Sequence, residues 1–573
     1  MKHSFFQITT GRVIREYERT LKKGTQVSLV NKIMTRRADV FTRKTEIKKL
    51  IANRLGWVDI ASQMKKNVPQ IEKFGLGVIK AGFKHVVLMG MGGSSLCPEL
   101  FKLVFKKHKS LKSFDVIDST DPKAVKDLTR RIDIKKTFFI VASKSGGTVE
   151  TRSHEAYFIG QLIEAGMKNF GRHFAAITDR GSSLEKFARR NKYRQIFLNP
   201  ADIGGRYSAL SYFGLVPAYF AGVDLTKLLD RAVAMEKILR ERDGETNPAL
   251  VLGTLMAAAS KAGVNKITFV ASKNIAPLVP WVEQLVAEST GKQKKGVIPI
   301  ENEPVGKLSS YAADRLFVFC RLEREKEVVS LKFKKDLLKK KYPLAEIVLA
   351  SKEDLGGQFL LWEAATAAAG YYLNINPFDE PNVTESKNNT RSILDAYQRM
   401  GKLPLEVPLA DWEGMSLIAV EGKHCAMTDF SDLRKLLKKC FMGAKTGEYF
   451  AVLNYFKADK STEKILEKIR ATIRDKKKLA TLRGYGPRFL HSVGQLYKGG
   501  PQVGRFVVFT RDKYDRLEIP GQPFDFGKLI TAQAIGDSKA LIRRRLPILV
   551  ITLKGNPAKE LEKFHKLLKA VLK

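Results

Sequence analysis

Short apolar runs alternate with longer stretches of mixed polarity along most of the chain. The runs at 85–90, 138–143, 174–178 and 195–198 are rich in Val, Ile, Leu and Phe and end at or just before Gly, Ser, Asp or Asn. Runs of this length, bounded by turn residues, predict buried strands. Helix-like periodicity follows them, from Leu96 and from about Thr148. The pattern recurs from about 245, with strands predicted at 266–271, 315–320 and 346–350. After a break at 404–408 come 417–420, 449–455, 506–510 and 548–553, with helices predicted at 462–475 and 557–572. Strand–helix alternation of this kind predicts an α/β fold of parallel sheets flanked by helices. The expected division is a polar, helical N-terminal extension over 1–55, one α/β lobe over 56–240, a second over 241–404, and a C-terminal α/β domain over 405–573.

Length supports that division, since 573 residues exceed one core and suggest about three or four domains. Four scattered cysteines (Cys97, Cys320, Cys425, Cys440) form no C-x-x-C pair, against a disulfide framework or a structural zinc site. No His/Asp/Glu cluster has metal-ligand spacing, so neither a metal nor another cofactor is expected. The N-terminus lacks an apolar signal core, and no run approaches the ~18 apolar residues of a membrane span. A cytoplasmic protein with no membrane partner is the expectation. The net charge of +42 would suit nucleic acid, anionic lipid or phosphorylated substrates. The basic residues are spread over many segments, however, without RNP-type aromatics or zinc-finger spacing, so no specific nucleic-acid partner is expected.

Candidate chemistry lies at the turns. Ser143-Lys144-Ser145-Gly146-Gly147-Thr148 joins a predicted strand to a predicted helix. The N–H groups and dipole at a helix start favour an anion, and Ser143, Ser145 and Thr148 add donors. No Gly-Lys-Ser/Thr ending is present, so a small phosphorylated metabolite fits better than a nucleoside triphosphate. Gly90-Met91-Gly92-Gly93-Ser94-Ser95 is a second strand-to-helix loop, with Ser95 where a dinucleotide fingerprint has its third glycine. In Gly204-Gly205-Arg206-Tyr207-Ser208, the glycines let a permanently charged guanidinium approach a ligand, although a surface turn with a salt-bridged Arg fits the same residues. Gln284 and Glu288 share a helix face among apolar neighbours, which suits a desolvated carboxylate for proton transfer; an exposed helix-end Glu is the plainer reading. In Asn376-Pro377-Phe378-Asp379-Glu380-Pro381, the prolines force a turn, and a short helix bearing Lys387 is expected beyond it.

In combination, Gly-x-Gly-Gly-Ser, Ser-Lys-Ser-x-x-Thr-x-Glu-Thr, Gly-Gly-Arg-Tyr-Ser, Gln-Leu-x-x-Glu-Ser-x-Gly-Lys and Asn-Pro-Phe-Asp-x-Pro…Lys resemble the glucose-6-phosphate isomerase family over about 85–390. The resemblance implies two sugar-isomerase (SIS) type lobes and the interconversion of glucose 6-phosphate and fructose 6-phosphate in glycolysis and gluconeogenesis. By the same resemblance Glu288 is the base that moves a proton through a cis-enediol, Arg206 stabilises the enediolate, and Lys387 assists ring opening. Ser143, Lys144, Ser145 and Thr148 form the phosphate loop. Gly92, Gly93, Ser94 and Gly205 lie by the sugar, and Gln284 contacts substrate.

One departure stands out. The family's ring-opening histidine lies between the glutamate and the lysine, yet no His occurs there and Phe359 holds the matching place. Residues 484–500 resemble the isomerase half of bacterial transaldolase–isomerase fusions, and their His491 is expected to supply the imidazole. A structural His in a Gly-rich loop is the alternative. A dual phosphoglucose/phosphomannose isomerase and a non-catalytic sugar-phosphate sensor stay open beside the main reading. The family usually dimerises; the third domain could complete the site in cis, so homodimer and monomer are both open.

Overall fold

A computed structural model describes residues 2–3, 5–241, 244–404, 407–422 and 430–572. The N-terminal segment begins with strands β1 (Lys2–His3) and β2 (Phe6–Thr9) before helices Ile14–Gln26 and Leu29–Met34. The first lobe holds β3 (His85–Gly90), β4 (Ser113–Ile117), β5 (Thr137–Ala142), β6 (Phe174–Asp179) and β7 (Gln195–Asn199), all parallel in the order β4-β3-β5-β6-β7. The second contains β8 (Lys266–Ala271), β9 (Ile298–Ile300), β10 (Arg315–Leu322) and β11 (Leu344–Leu349), also mutually parallel.

β2 lies antiparallel on the edge of that second sheet, with Thr9 opposite Leu344 and Phe6 opposite Ile347. The helical extension therefore also contributes an edge strand to the second sheet. Four residues of mixed polarity carry no strand signal of their own; they become a strand because β11 offers an unpaired edge. β4 escapes the apolar-run pattern because Asp115 interrupts it, a buried carboxylate held by Lys102.

The C-terminal domain is a third sheet, β12 (Ala410–Trp412), β13 (Met415–Glu421), β14 (Tyr449–Asn454), β15 (Ala480–Tyr485), β16 (Gly504–Arg511) and β17 (Ile548–Leu553). It runs in the order β12-β13-β17-β16-β14-β15. Its last four strands are parallel, and β13 caps one side antiparallel to β17. Cys97 and Cys320 are buried free thiols. Cys440 is disulfide-bonded, a correction to the expectation from cysteine spacing; Cys425 lies outside the described residues.

Packing locks the third domain onto both lobes. Ile519, Phe524, Phe526 and Leu529 join the core of the first lobe, and Ala287, Ile298 and Ile300 of the second lobe join the core beneath β14–β16. Burying a side chain such as Phe526 is worth about 1.5–3 kcal/mol. Helix Leu355–Leu373 has no polar face and is buried almost throughout, with Phe359 fully enclosed. The helix expected to be short after Pro381 runs from Val383 to Met400. Its apolar face, including Ile393 and Leu394, is buried and extends the pattern well past Lys387. No helix among the described residues is long and apolar enough to cross a membrane.

Candidate active site

The loops at the carboxyl ends of β3 and β5, the end of helix Leu278–Thr290, the start of helix Val383–Met400 and segment 486–500 of the third domain converge. Open α/β sheets hold ligands at such edges. Close approach is built in. Gly92 has φ +55°, and a Cβ there would lie 2.6 Å from the His491 carbonyl oxygen. A Cβ on Gly93 would lie 2.0 Å from the carbonyl oxygen of Gly205. Any side chain at either position would separate the elements that meet there.

One group of residues surrounds Glu288. Its carboxylate lies 3.5 Å from Arg206, and Gln284 Nε2 is 3.4 Å away. Gln284 also donates to the His491 carbonyl at 2.8 Å, tying this helix to the third domain. The Arg206 guanidinium is almost wholly buried. It donates to Ser289 Oγ (2.8 Å), Glu380 (2.8 Å) and the carbonyls of Pro377 and Asp379 (2.9 Å each). Burial opposes its charge, but Glu380 and Glu288 outweigh that and raise its pKa. Burial pushes Glu288 up to about 8; Arg206 opposes this and Glu380 adds to it. The site thus contains a desolvated carboxyl group able to hold a proton at neutral pH beside a guanidinium able to stabilise an oxyanion.

A second group lines a cleft of about 440 Å³ that includes Ser145, Thr148, Glu150, Lys387, His491 and Gln533. His491 Nε2 lies 3.0 Å from Glu150 Oε1, which also accepts from Gln533 Nε2 at 2.8 Å. That acceptor role makes Nε2 of His491 the donor in this pair. Burial alone would raise the Glu150 pKa, but the charge and hydrogen bond of His491, helped by Lys387, bring it below the ordinary value. Asp537 supports the lysine side of the cleft, accepting from Ser386 at 3.1 Å and pairing with Lys498 at 2.7 Å.

The phosphate-loop candidates split. Ser143 and Thr148 hydroxyl oxygens are 3.0 Å apart, and Ser145 is exposed to the cleft. Thr148 precedes helix Val149–Glu164 without capping it through its side chain. The start of a helix left uncapped in this way favours an anion through its dipole and its first-turn N–H groups. The Lys144 ammonium is engaged elsewhere, by Asp179 at 2.5 Å and the Ala201 carbonyl at 3.1 Å. Ser94 is buried in the glycine turn. Glu150, Glu380, Gln533 and Asp537 escaped the sequence reading as candidates. Glu150 and Glu380 lie inside motifs already singled out, so a carboxylate beside a required Thr or Pro was the available signal; Gln533 and Asp537 had none.

The phosphoglucose isomerase family model matches residues 3–305. A glucose-6-phosphate isomerase of Methanocaldococcus jannaschii is 28% identical over 342 residues, covering 53% of this chain and 83% of that protein. One from Mycoplasmopsis pulmonis is 27% identical and covers 60% and 90%. Among solved structures, a hypothetical protein from Thermus thermophilus superposes with a TM-score of 0.56 at 24% identity, over 68% of this chain and 99% of that one. A glucose-6-phosphate isomerase from Chlamydia trachomatis gives 0.54 at 20% identity, over 70% and 89%.

Proposed function

The chain belongs to the phosphoglucose isomerase family, and we propose that it interconverts glucose 6-phosphate and fructose 6-phosphate with its own residues in the following roles. The substrate phosphate binds Ser145, Thr148 and the opening turn of helix Val149–Glu164, which Thr148 leaves uncapped. His491, held by Glu150, gives a proton to the ring oxygen while Lys387 assists at the C1 hydroxyl, and the ring opens. Glu288 removes the proton on C2 and returns it to C1 through a cis-enediol. Arg206 stabilises the negative oxygen formed between those steps.

The observation that carries this reading is the opposed pair. A carboxyl raised to about 8 sits beside Arg206, and a histidine–carboxylate pair faces the same site, joined to it through the bond from Gln284 to the His491 carbonyl. General acid–base steps of this kind give about 10²–10⁴-fold each, and an oriented oxyanion partner adds a comparable factor. The reaction moves a proton and needs no net oxidant or reductant. In the cell it would serve glycolysis and gluconeogenesis in the cytoplasm.

The test is a coupled assay with fructose 6-phosphate, detecting glucose 6-phosphate, for the parent and Glu288→Gln. Turnover that collapses in the variant supports the reading. Phosphosugar binding without turnover in the parent would replace it with a sensor. Mannose 6-phosphate, run in parallel, fixes the breadth at C2.

A further inference from the structure

Helix Phe526–Ile542 has two adjoining faces, each with its own cleft. Phe526, Gln533 and Asp537, at i, i+7 and i+11, lie on the face turned toward the first lobe and the catalytic site. Phe526 stacks on His154, Gln533 donates to Glu150, and Asp537 accepts from Ser386. One step round the helix, Gly527, Thr531, Ala534 and Ser538 line a separate cleft of about 700 Å³. Its opposite wall is the third sheet, through Ile418 of β13 and Val550 and Thr552 of β17. β16 and β17 end at this cleft, the edge where parallel sheets receive ligands.

The chemistry of the walls is specific. Most of the surface is apolar, and the volume falls in the range of small-molecule sites. Among the described residues, two polar groups within it lack hydrogen-bond partners. Ser538 is only 6% exposed, and its hydroxyl makes no hydrogen bond; Arg511 Nε is buried without an acceptor. Such groups cost free energy unless something binds them. The carboxylates of the cleft are already occupied: Asp411 pairs with Lys554 at 2.6 Å, Asp525 with Lys528 at 2.5 Å, and Asp512 accepts from the Lys513 N–H at 2.8 Å. Among the described residues Arg511 has no carboxylate within ion-pair distance, and its guanidinium rests 5.9 Å from the centre of the Tyr514 ring.

We propose that this second cleft is an effector site for a small organic anion, with an apolar body against Ile418, Ala534 and Val550 and one anionic group on Arg511 and Ser538. Occupancy there acts on isomerisation through helix Phe526–Ile542, whose other face fixes Glu150 through Gln533 and the start of helix Val383–Met400 through Asp537. A change at the effector face therefore reaches the histidine–carboxylate pair and the lysine without crossing solvent.

The experiment uses the full chain and anilinonaphthalene sulfonate, a flat apolar body with a single anionic group, titrated by fluorescence with and without saturating fructose 6-phosphate. The expected result is one saturable site that the sugar phosphate does not empty. Binding should weaken by at least about tenfold in Arg511→Met, the loss of one charge-assisted contact, and by less in Ser538→Ala, which carries the test if Arg511→Met fails to fold. Saturation should change kcat/KM of the parent at least about twofold and leave Arg511→Met, whose own kcat/KM matches the parent's, unmoved. Equal binding by both variants, displacement by fructose 6-phosphate, or saturation without any change in rate would overturn the proposal. So would a mass that doubles with concentration in the parent but not in Arg511→Met, which would give the cleft to a second copy. The coupling to rate rests on the isomerase reading; the binding arm does not, so the two can fail separately.

Discussion

Glu288 and Glu150 are both buried, both reach the same candidate site, and both lie near Lys387, yet their pKa values move in opposite directions. At Glu288, burial and the neighbouring charge of Glu380 prevail over Arg206, and the pKa rises to about 8. At Glu150, the charge and hydrogen bond of His491, joined by the residue's own backbone N–H and by Lys387, overcome burial and the pKa falls. Depth in the protein is common to the two; the partner decides the outcome. The first carboxyl can accept and release a proton within the physiological range. The second is a fixed counter-ion that orients an imidazole. Glu363 sharpens the contrast, since both its oxygens are buried without any hydrogen-bond partner and burial alone drives its pKa far up.

The comparison can be broken by substitution. The largest effect is expected at the proton-transferring member: Glu288→Gln should lower kcat about 10²–10⁴-fold while phosphosugar binding, followed by calorimetry, persists. His491→Ala should lower kcat by about 10²-fold in steady-state assay, because ring opening loses its proton donor but the carbon proton transfer does not. An unchanged kcat would return His491 to a structural role. Glu150→Gln keeps a polar neighbour for the imidazole but removes the charge, and a loss in kcat smaller than that of Glu288→Gln is expected, with KM nearly constant. Glu363→Gln should leave kinetics alone and alter stability. Its folded-state pKa is raised, so the native state holds a proton that the unfolded chain releases once pH exceeds about 4.3. Native stability therefore falls as pH rises through that range. The neutral amide has no such slope, so denaturant titrations should show a stability gap in favour of the variant that widens with pH.

Much of this was legible in the order of residues, for identifiable reasons. Strands β3, β5, β6, β8 and β10 are buried on both faces, so each reads as a continuous apolar run. The turns at 90–95, 143–148 and 204–208 carry glycines and hydroxyls that mark them as turns, although the room at Gly92 and Gly93 serves the distant His491 and Gly205 carbonyls. β2 was not legible, because its strand character comes from β11. The pairing of Glu150 with His491 spans 341 positions, and nothing near either residue signals it. The direction of Lys144 was also beyond local reading, since its carboxylate partner lies at the end of the neighbouring strand. Residues that act through a helix from the third domain, such as Gln533 and Asp537, become visible only once that helix is seen to serve two clefts.

The most direct test is the pH dependence of kcat/KM for fructose 6-phosphate, measured from about pH 6 to about pH 10 in the parent and in Glu380→Gln. A base must be ionised to accept a proton, so the rate should fall on the acid side with an apparent pKa of about 8, the value expected for Glu288. Removing the Glu380 charge takes away one cause of that rise and frees Arg206 to favour the Glu288 carboxylate, so the acid limb should move to lower pH. An acid limb in the ordinary carboxylate range in the parent, or one that stays in place in Glu380→Gln, would contradict the assignment of Glu288 as the group that takes the proton.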